Sequence, residues 1–124
     1  MTIYITQGLR KSARQTPNKI ATIFAGVQQN FTVLQQRVAS FANALQTQGL
    51  KPGDRVSIIA LNSASYMEVM LGTYWAGGVI SPLNTRWKLT DFIYALNNSA
   101  TSILVLDQQF AYLAPELKQA CPTI

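Results

Sequence analysis

The chain has 124 residues, of which 48% are hydrophobic and 12% are charged, with a formal net charge of +5 and no histidine. The length predicts one unit spanning residues 1–124. A single cysteine without histidine excludes a disulfide within the chain and a cysteine–histidine zinc site. Because an average soluble domain is about 25% charged, the low charge predicts surface that is covered by the rest of a larger protein or by a partner. The alternative is a neutral surface rich in Gln, Asn, Thr and Ser.

The basic excess does not indicate nucleic-acid binding. Its cations cluster only at Arg10, Lys11 and Arg14, which is typical of a solvated helix face, and no recognition motif accompanies them. The most apolar stretch, residues 69–80, is too short to span a membrane and contains glycines. Residues 1–7 lack a basic segment followed by an apolar one, so no signal peptide is expected. These features predict a cytoplasmic protein without a membrane span.

The first third of the chain predicts a helix, a hairpin and a longer helix. Residues 7–15 form the first helix, which ends before Pro17 because a residue preceding proline avoids helical torsions. Two apolar runs, residues 20–24 and 27–31, flank Ala25-Gly26 as a hairpin. Thr32 and Gln35 predict a capping box for a helix over residues 32–48.

That longer helix is predicted to bury one face. Its apolar residues recur at helical spacing, and they are Leu34, Val38, Phe41 and Leu45. Gly49 is placed to take the left-handed conformation that commonly ends a helix.

Three short apolar runs follow, beginning at Val56, Val79 and Ile103, and each gap between them holds one helix. The first of these helices starts after Asn62-Ser63, and Thr90 is the predicted cap of the second. A last helix is expected near Pro115. Unbroken apolar strands that alternate with helices are typical of a parallel sheet covered on both faces. The predicted fold is therefore a three-layer α/β structure with a β-α-β-α-β core, preceded by the helix and hairpin.

Candidate site residues are few. Gly77-Gly78 follows a helix and precedes a strand, which is the wrong order for a phosphate loop and indicates a helix end. The acids lie far apart in sequence without metal-ligand spacing, so no catalytic residue and no metal ligand is predicted.

Asp107 and Arg86 follow predicted strands at the edge where parallel sheets bind ligands. For Asp107 a turn or capping role is the stronger interpretation. Arg86 could hold a phosphate or a carboxylate, but the stronger interpretation is that it covers a neighbouring helix or bonds a carbonyl.

The aromatic and sulfur side chains predict structure more than chemistry. The aromatics of the second half are expected to pack within the protein, and they are Tyr66, Tyr74, Trp75, Trp87 and Tyr94. Cys121 has no histidine to activate it, so an incidental thiol is expected.

Six sequence blocks occur in a family-like order. They are Thr16–Ala21, Phe31–Leu34, Gly49–Val56, Asn62-Ser63, Ala76–Val79 and Pro82–Arg86. Together they resemble the N-terminal region of the adenylate-forming acyl-CoA synthetases, the AMP-binding ligases that include luciferases and peptide-synthetase adenylation domains. The resemblance covers nearly the whole chain, from about Leu9 to Leu106.

The resemblance implies that the full-length protein is an AMP-forming acid–thiol ligase. Such enzymes use ATP, magnesium and coenzyme A to convert a carboxylic acid to an acyl-adenylate and then to a thioester. The family's phosphate loop, adenine and ribose motifs and C-terminal catalytic lysine have no counterpart in this sequence. The resemblance therefore implies a fragment that binds none of these cofactors and is inactive alone. It places Leu83, Asn84 and Thr85 at the edge of a coenzyme A site.

Two other hypotheses stay open at this point. One is a stand-alone, non-catalytic interaction module of the same fold. The other is a small flavodoxin-like nucleotide-binding protein, which the lack of a glycine loop after any predicted strand disfavours. For the ligase fragment, the expected partner is the remainder of the full-length ligase, or a second copy through self-association.

Overall fold

The computed structural model describes residues 4–124. The expectation that residues 1–7 are not a signal peptide therefore falls partly outside the described residues. The helices are α1 (Gln7–Gln15), α2 (Phe31–Thr47), α3 (Ala64–Trp75), α4 (Leu89–Asn98) and α5 (Ala114–Ala120). The strands are β1 (Ile20–Phe24), β2 (Val27–Asn30), β3 (Arg55–Ile59), β4 (Val79–Pro82) and β5 (Ile103–Leu106). A 3₁₀ helix, Gln108–Leu113, lies between β5 and α5. No helix of residues 4–124 has the length and apolar character needed to cross a membrane.

The predicted parallel sheet is confirmed, and its strand order is β4-β3-β5. β3 lies in the centre and pairs in parallel with both neighbours. One face packs on α2 and α3 through a cluster that contains Leu45, Val56 and Ala76. The other face packs on α4, α5 and the 3₁₀ helix through Leu96 and Leu117. Helices therefore cover both faces, which explains why these strands are apolar without alternation.

The hairpin and the first helix are confirmed. β1 and β2 pair in antiparallel fashion, and Ala25 and Gly26 take positive φ values of 50° and 78° in the connecting turn. α1 ends at the predicted residue, and its basic side chains Arg10, Lys11 and Arg14 are exposed. Leu9 turns inward and packs with Leu34 and Val38 of α2.

The predicted cap of α2 is wrong. The helix begins at Phe31, and its N-cap is Asn30, two residues before Thr32, because the Asn30 side chain accepts the Val33 N–H at 2.9 Å. The hydroxyl of Thr32 donates to the Pro17 carbonyl instead, at 3.2 Å. Asn is as good an N-cap as Thr, so the hairpin, which ends at Asn30, sets the start of the helix. Gly49 does end the helix as expected, with φ of 97°.

The predicted cap of α4 is also wrong. Thr90 lies inside the helix, and Lys88 occupies the N-cap position. Asp91 is the third residue of the helix, and its carboxylate accepts the backbone N–H of Lys88 at 3.0 Å. A side chain in the first turn therefore satisfies the backbone donor of the N-cap residue. The cap of α3 is the predicted one, since the Ser63 hydroxyl accepts the Tyr66 N–H at 3.1 Å.

Candidate functional site

The candidate site is the edge of the sheet where the three parallel strands end. Residues 60–63, 83–86 and 107 follow β3, β4 and β5 respectively. Ligands of open parallel sheets bind at such an edge, and most readily where successive connections leave toward opposite faces. Here the chain leaves β3 toward α3 and leaves β5 toward the 3₁₀ helix and α5, on the other face. The point between β3 and β5 is therefore the natural crevice.

Asp107 closes that crevice. One oxygen of its carboxylate accepts the Leu61 N–H at 2.8 Å, which ties the end of β5 to the end of β3. The other oxygen accepts the Gln109 and Phe110 N–H groups at 3.0 and 3.3 Å. The side chain thus caps the 3₁₀ helix and fastens two strands, so the capping interpretation of Asp107 is confirmed. Its acceptor capacity is used by the fold.

The segment after β4 forms a turn. Leu83 is buried in the core, and its N–H donates to the Ile58 carbonyl at 2.9 Å. The Asn84 side chain accepts the Arg86 N–H at 2.9 Å, which is an Asx turn. Thr85 is half-buried and Arg86 is exposed. The side chains of Thr85 and Arg86 are therefore the ones this loop offers to a ligand, whereas Leu83 and Asn84 serve the fold.

These loops do not have the features of a nucleotide site. The segments after the three strands read Ala-Leu-Asn-Ser, Leu-Asn-Thr-Arg and Asp-Gln-Gln, without the glycines that let backbone N–H groups approach a phosphate. Within residues 4–124, no group of three or more acidic, cysteine or histidine side chains lies close enough to hold a metal ion. The donor set present here therefore does not fit ATP with its magnesium.

Cys121 is free and fully buried beside α5. Burial raises the pKa of its thiol, which keeps it protonated and unreactive at neutral pH. The structure thus agrees with an incidental thiol.

The expectation that the aromatics pack internally holds only in part. Tyr94 is 72% exposed and Trp87 is 41% exposed, and both line a cavity beside Ser81 and Pro82 of β4. Trp87 still contacts the Phe92 ring at a centroid distance of 6.2 Å. Trp75 is half-buried, and the Arg10 guanidinium stacks over its ring at 3.8 Å. That stacking gives one cation of the basic helix a structural role.

Two polar networks that centre on buried side chains were not predicted from the sequence. Glu68, in the middle of α3, is buried and accepts hydrogen bonds from Arg37 at 2.7 Å and Gln29 at 3.2 Å. The hydrogen bond and the charge of Glu68 raise the pKa of Arg37. The sequence does show a carboxylate inside an otherwise apolar helix. Because buried charges need partners, Glu68 could have been predicted to bind a basic or amide side chain. The network joins the hairpin, α2 and α3.

The second network lies under β3. The hydroxyls of Ser57 and Thr101 are 2.6 Å apart, and that of Ser99 is 2.7 Å from Thr101. Both Ser57 and Thr101 are fully buried. Ser57 interrupts an apolar strand, but the sequence did not reveal its partner, which is 44 residues away.

A family model described as "AMP-binding enzyme" matches residues 9–123. The chain belongs to this family. It is 35% identical over 95 residues to a feruloyl-CoA synthase of Amycolatopsis sp, and 33% identical over 102 residues to a 3-[(3aS,4S,7aS)-7a-methyl-1,5-dioxo-octahydro-1H-inden-4-yl]propanoyl:CoA ligase of Rhodococcus jostii. These matches cover 77% and 82% of this chain but only 19% and 20% of the relatives. The chain therefore spans about a fifth of the curated relatives that it matches.

Solved structures confirm the fold. The N-terminal domain of FACL13 from Mycobacterium tuberculosis superposes with a TM-score of 0.93 at 21% identity, over 99% of this chain and 32% of that one. The anthranilate CoA ligase AuaEII, solved with anthranoyl-AMP, gives a TM-score of 0.92 at 21% identity, over 100% of this chain and 24% of that one. This chain of the AMP-binding family thus corresponds to the N-terminal region of much longer ligases, as the six sequence blocks predict.

Proposed function

We propose that residues 1–124 form a single structural unit, the N-terminal scaffold of a cytoplasmic AMP-forming acid–CoA ligase. The unit supplies part of the framework of the adenylating domain and no catalytic group. The observation that carries the proposal is the family match across residues 9–123 in a chain that covers about a fifth of its ligase relatives. In the whole ligase, a carboxylic acid would be activated with ATP to an acyl-adenylate and then transferred to coenzyme A.

The structural role is supported by how the side chains are used. Two of the polar side chains at the strand ends serve the fold, since Asp107 fastens β3 to β5 and Asn84 forms a turn. ATP, magnesium and coenzyme A belong to the whole enzyme in this proposal. That Leu83, Asn84 and Thr85 lie at the edge of the coenzyme A site stays a prediction. Of these three residues, Thr85 has the side chain that is available to contact coenzyme A.

A second function, a stand-alone interaction module, is favoured by one observation. The hairpin exposes Ile23, Phe24 and Val27. Ile23 and Phe24 line one shallow cavity together with the exposed Met67 of α3, and clustered apolar surface of this kind commonly binds another protein. A swap experiment separates the two functions, because only a ligase scaffold can replace the same region of an active ligase.

The test is a chimera of the Amycolatopsis feruloyl-CoA synthase in which the matched region is replaced by the corresponding residues of this chain. We expect the folded chimera to form feruloyl-CoA, because the scaffold superposes closely on solved ligase relatives. The same synthase with the region deleted is the negative control. A monodisperse chimera with native-like circular dichroism but no product would contradict the proposal and favour the interaction module.

The chimera also tests the coenzyme A edge. Thr85→Ala should raise the KM for coenzyme A and leave ATP–pyrophosphate exchange unchanged, because adenylation precedes thioester formation. Thr90→Ala, on the outer surface of α4, is the matched control. An unchanged KM would remove Thr85 from the coenzyme A site without affecting the scaffold proposal.

A further inference from the structure

We propose that the cavity between the start of α1 and the end of α3 binds a small anion whose carboxylate or phosphate group is attached to an aromatic ring. The cavity has a volume of about 440 Å³, which lies within the range of small-molecule sites. It borders Gly77, just before β4 begins, whereas the candidate site described above lies at the carboxyl ends of the strands. The two sites are therefore distinct.

Arg10 supplies the positive charge of this cavity. Its guanidinium carbon lies 3.8 Å from the centre of the Trp75 ring, so one face of the group stacks on the indole. The N–H donors of a guanidinium lie in its plane, and stacking leaves them free for a ligand. The only salt bridge within residues 4–124 joins Arg37 and Glu68, so Arg10 has no carboxylate partner there. Trp75 thus orients a guanidinium that can bind two oxygens of one anion.

Thr6 supplies a hydroxyl at the start of α1. The residue lines the cavity and is only 5% exposed. Although Thr6 occupies the N-cap position, its side chain makes no capping hydrogen bond, and no other bond of that hydroxyl lies within residues 4–124. The first turn of α1 contains no acid, so no side chain of that turn neutralises the positive end of the helix dipole. An anion that accepts a hydrogen bond from Thr6 would satisfy a buried polar group.

The remaining walls favour an anion with an aromatic body over a bare ion. Tyr4, Tyr74 and Trp75 line the cavity, and Gln7 adds an uncharged polar group. None of the lining residues is acidic, so no lining side chain repels an anion. Aromatic rings attract one another in offset or edge-to-face arrangements, which a ligand ring can adopt against these walls. The class of ligand that matches is therefore an aromatic carboxylate or an aryl phosphate.

The test is a titration of the 124-residue chain, labelled with fluorotryptophan, with benzoate and with phenyl phosphate, followed by fluorine NMR. The Trp75 signal should shift and saturate with a Kd on the order of 1 mM. The Trp87 signal, from the other end of β4, is the internal control and should not move. Acetate and inorganic phosphate lack the ring, and benzyl alcohol lacks the charge, so each should bind at least about tenfold more weakly.

Matched variants locate the anion. Arg10→Gln should weaken the binding of benzoate and phenyl phosphate at least about tenfold, because it removes the charge-assisted hydrogen bonds. Arg14→Gln removes the same charge from the exposed side of the same helix and should change the Kd by less than about twofold, since salt screens exposed charges. Equal weakening by both variants would show general attraction to the basic helix and would overturn the proposal.

Two further results would overturn it. One is the absence of a saturable shift of the Trp75 signal, or a shift of the Trp87 signal in its place. The other is loss of the Trp75 shift in the folded feruloyl-CoA synthase chimera, where Trp75→Phe assigns the signal, because the rest of a ligase would then occupy the cavity. Binding in both the chain and the chimera is the expected result, and it does not depend on whether the chimera forms feruloyl-CoA.

Discussion

Phe41→Ala is expected to lower the free energy of unfolding by about 3 kcal/mol, near the lower end of the range for buried phenylalanines. Phe41 is half-buried, whereas Leu34, Val38 and Leu45 on the same helix are fully buried. Its ring packs against α3 where that helix has Gly72. A Cβ added at Gly72 would lie 2.6 Å from Cδ1 and 3.2 Å from Cβ of Phe41. The glycine therefore leaves the space that the ring occupies.

This contact predicts a strong coupling between positions 41 and 72 in a double-mutant cycle. Gly72→Ala alone should destabilise the protein by about 1–3 kcal/mol, because the ring must move out of a packed site. In the Phe41→Ala background the same change should cost much less, because the 2.6 Å overlap with Cδ1 is gone and only the 3.2 Å approach to Cβ of residue 41 remains, which the better helix propensity of alanine offsets by up to about 1 kcal/mol. Chemical denaturation of the four proteins measures the coupling. Equal effects of Gly72→Ala in both backgrounds would show that the two residues do not interact.

Thr101→Val should cost about 1–3 kcal/mol, because it leaves the Ser57 hydroxyl without a partner. The Ser99 hydroxyl keeps its bond to the Leu96 carbonyl. Valine keeps the shape of threonine but removes the oxygen that lies between Ser57 and Ser99. Ser57 is fully buried, so water cannot replace the lost partner without opening the core.

The matched control is Thr101→Ser, which keeps the hydroxyl and loses only a methyl group. It should cost about 1 kcal/mol, the value of a buried methylene-sized group. Ser57→Ala combined with Thr101→Val should recover part of the loss, since one orphaned hydroxyl is removed. If Thr101→Val is as stable as the original protein in a denaturant melt, the hydroxyl network does not stabilise the fold.

The order and type of the main elements were accessible from the sequence because the apolar patterns are strong. The runs at Val56, Val79 and Ile103 are short and unbroken, and each is separated from the next by one helical segment. The strand order β4-β3-β5 was not predicted, because periodicity does not show which strand takes the centre. The full burial of Val56, Ile58 and Ile59 reflects that central position.

The predictions that were wrong concern the N-caps of α2 and α4, where neighbouring polar residues compete for the same position. Asn30 and Thr32 both suit an N-cap, and the hairpin decided for Asn30 by fixing its extended backbone. At α4, Asp91 satisfies the backbone of Lys88, so the helix starts without a Ser or Thr cap. The 3₁₀ helix at Gln108–Leu113 was not predicted, because it depends on Asp107, whose carboxylate also bonds Leu61 across the sheet.

For the candidate site, the sequence located the sheet edge but not the use of its side chains. Leu83, Asn84 and Thr85 follow β4 as predicted, yet Leu83 is core and Asn84 forms a turn. Such roles come from contacts with residues far away in sequence, as with the bond from the Leu83 N–H to Ile58. Family resemblance supplied what local patterns could not, namely the class of enzyme to which this region belongs.

The most direct measurement of the scaffold proposal is ATP–pyrophosphate exchange by the 124-residue chain with a panel of aliphatic and aromatic carboxylic acids. The chain is expected to give no exchange above the enzyme-free background, because the segments after its three parallel strands have no phosphate loop. The Amycolatopsis feruloyl-CoA synthase in the same assay is the positive control. Acid-dependent exchange above background by the chain alone would contradict the account, because it would place adenylation chemistry within these residues.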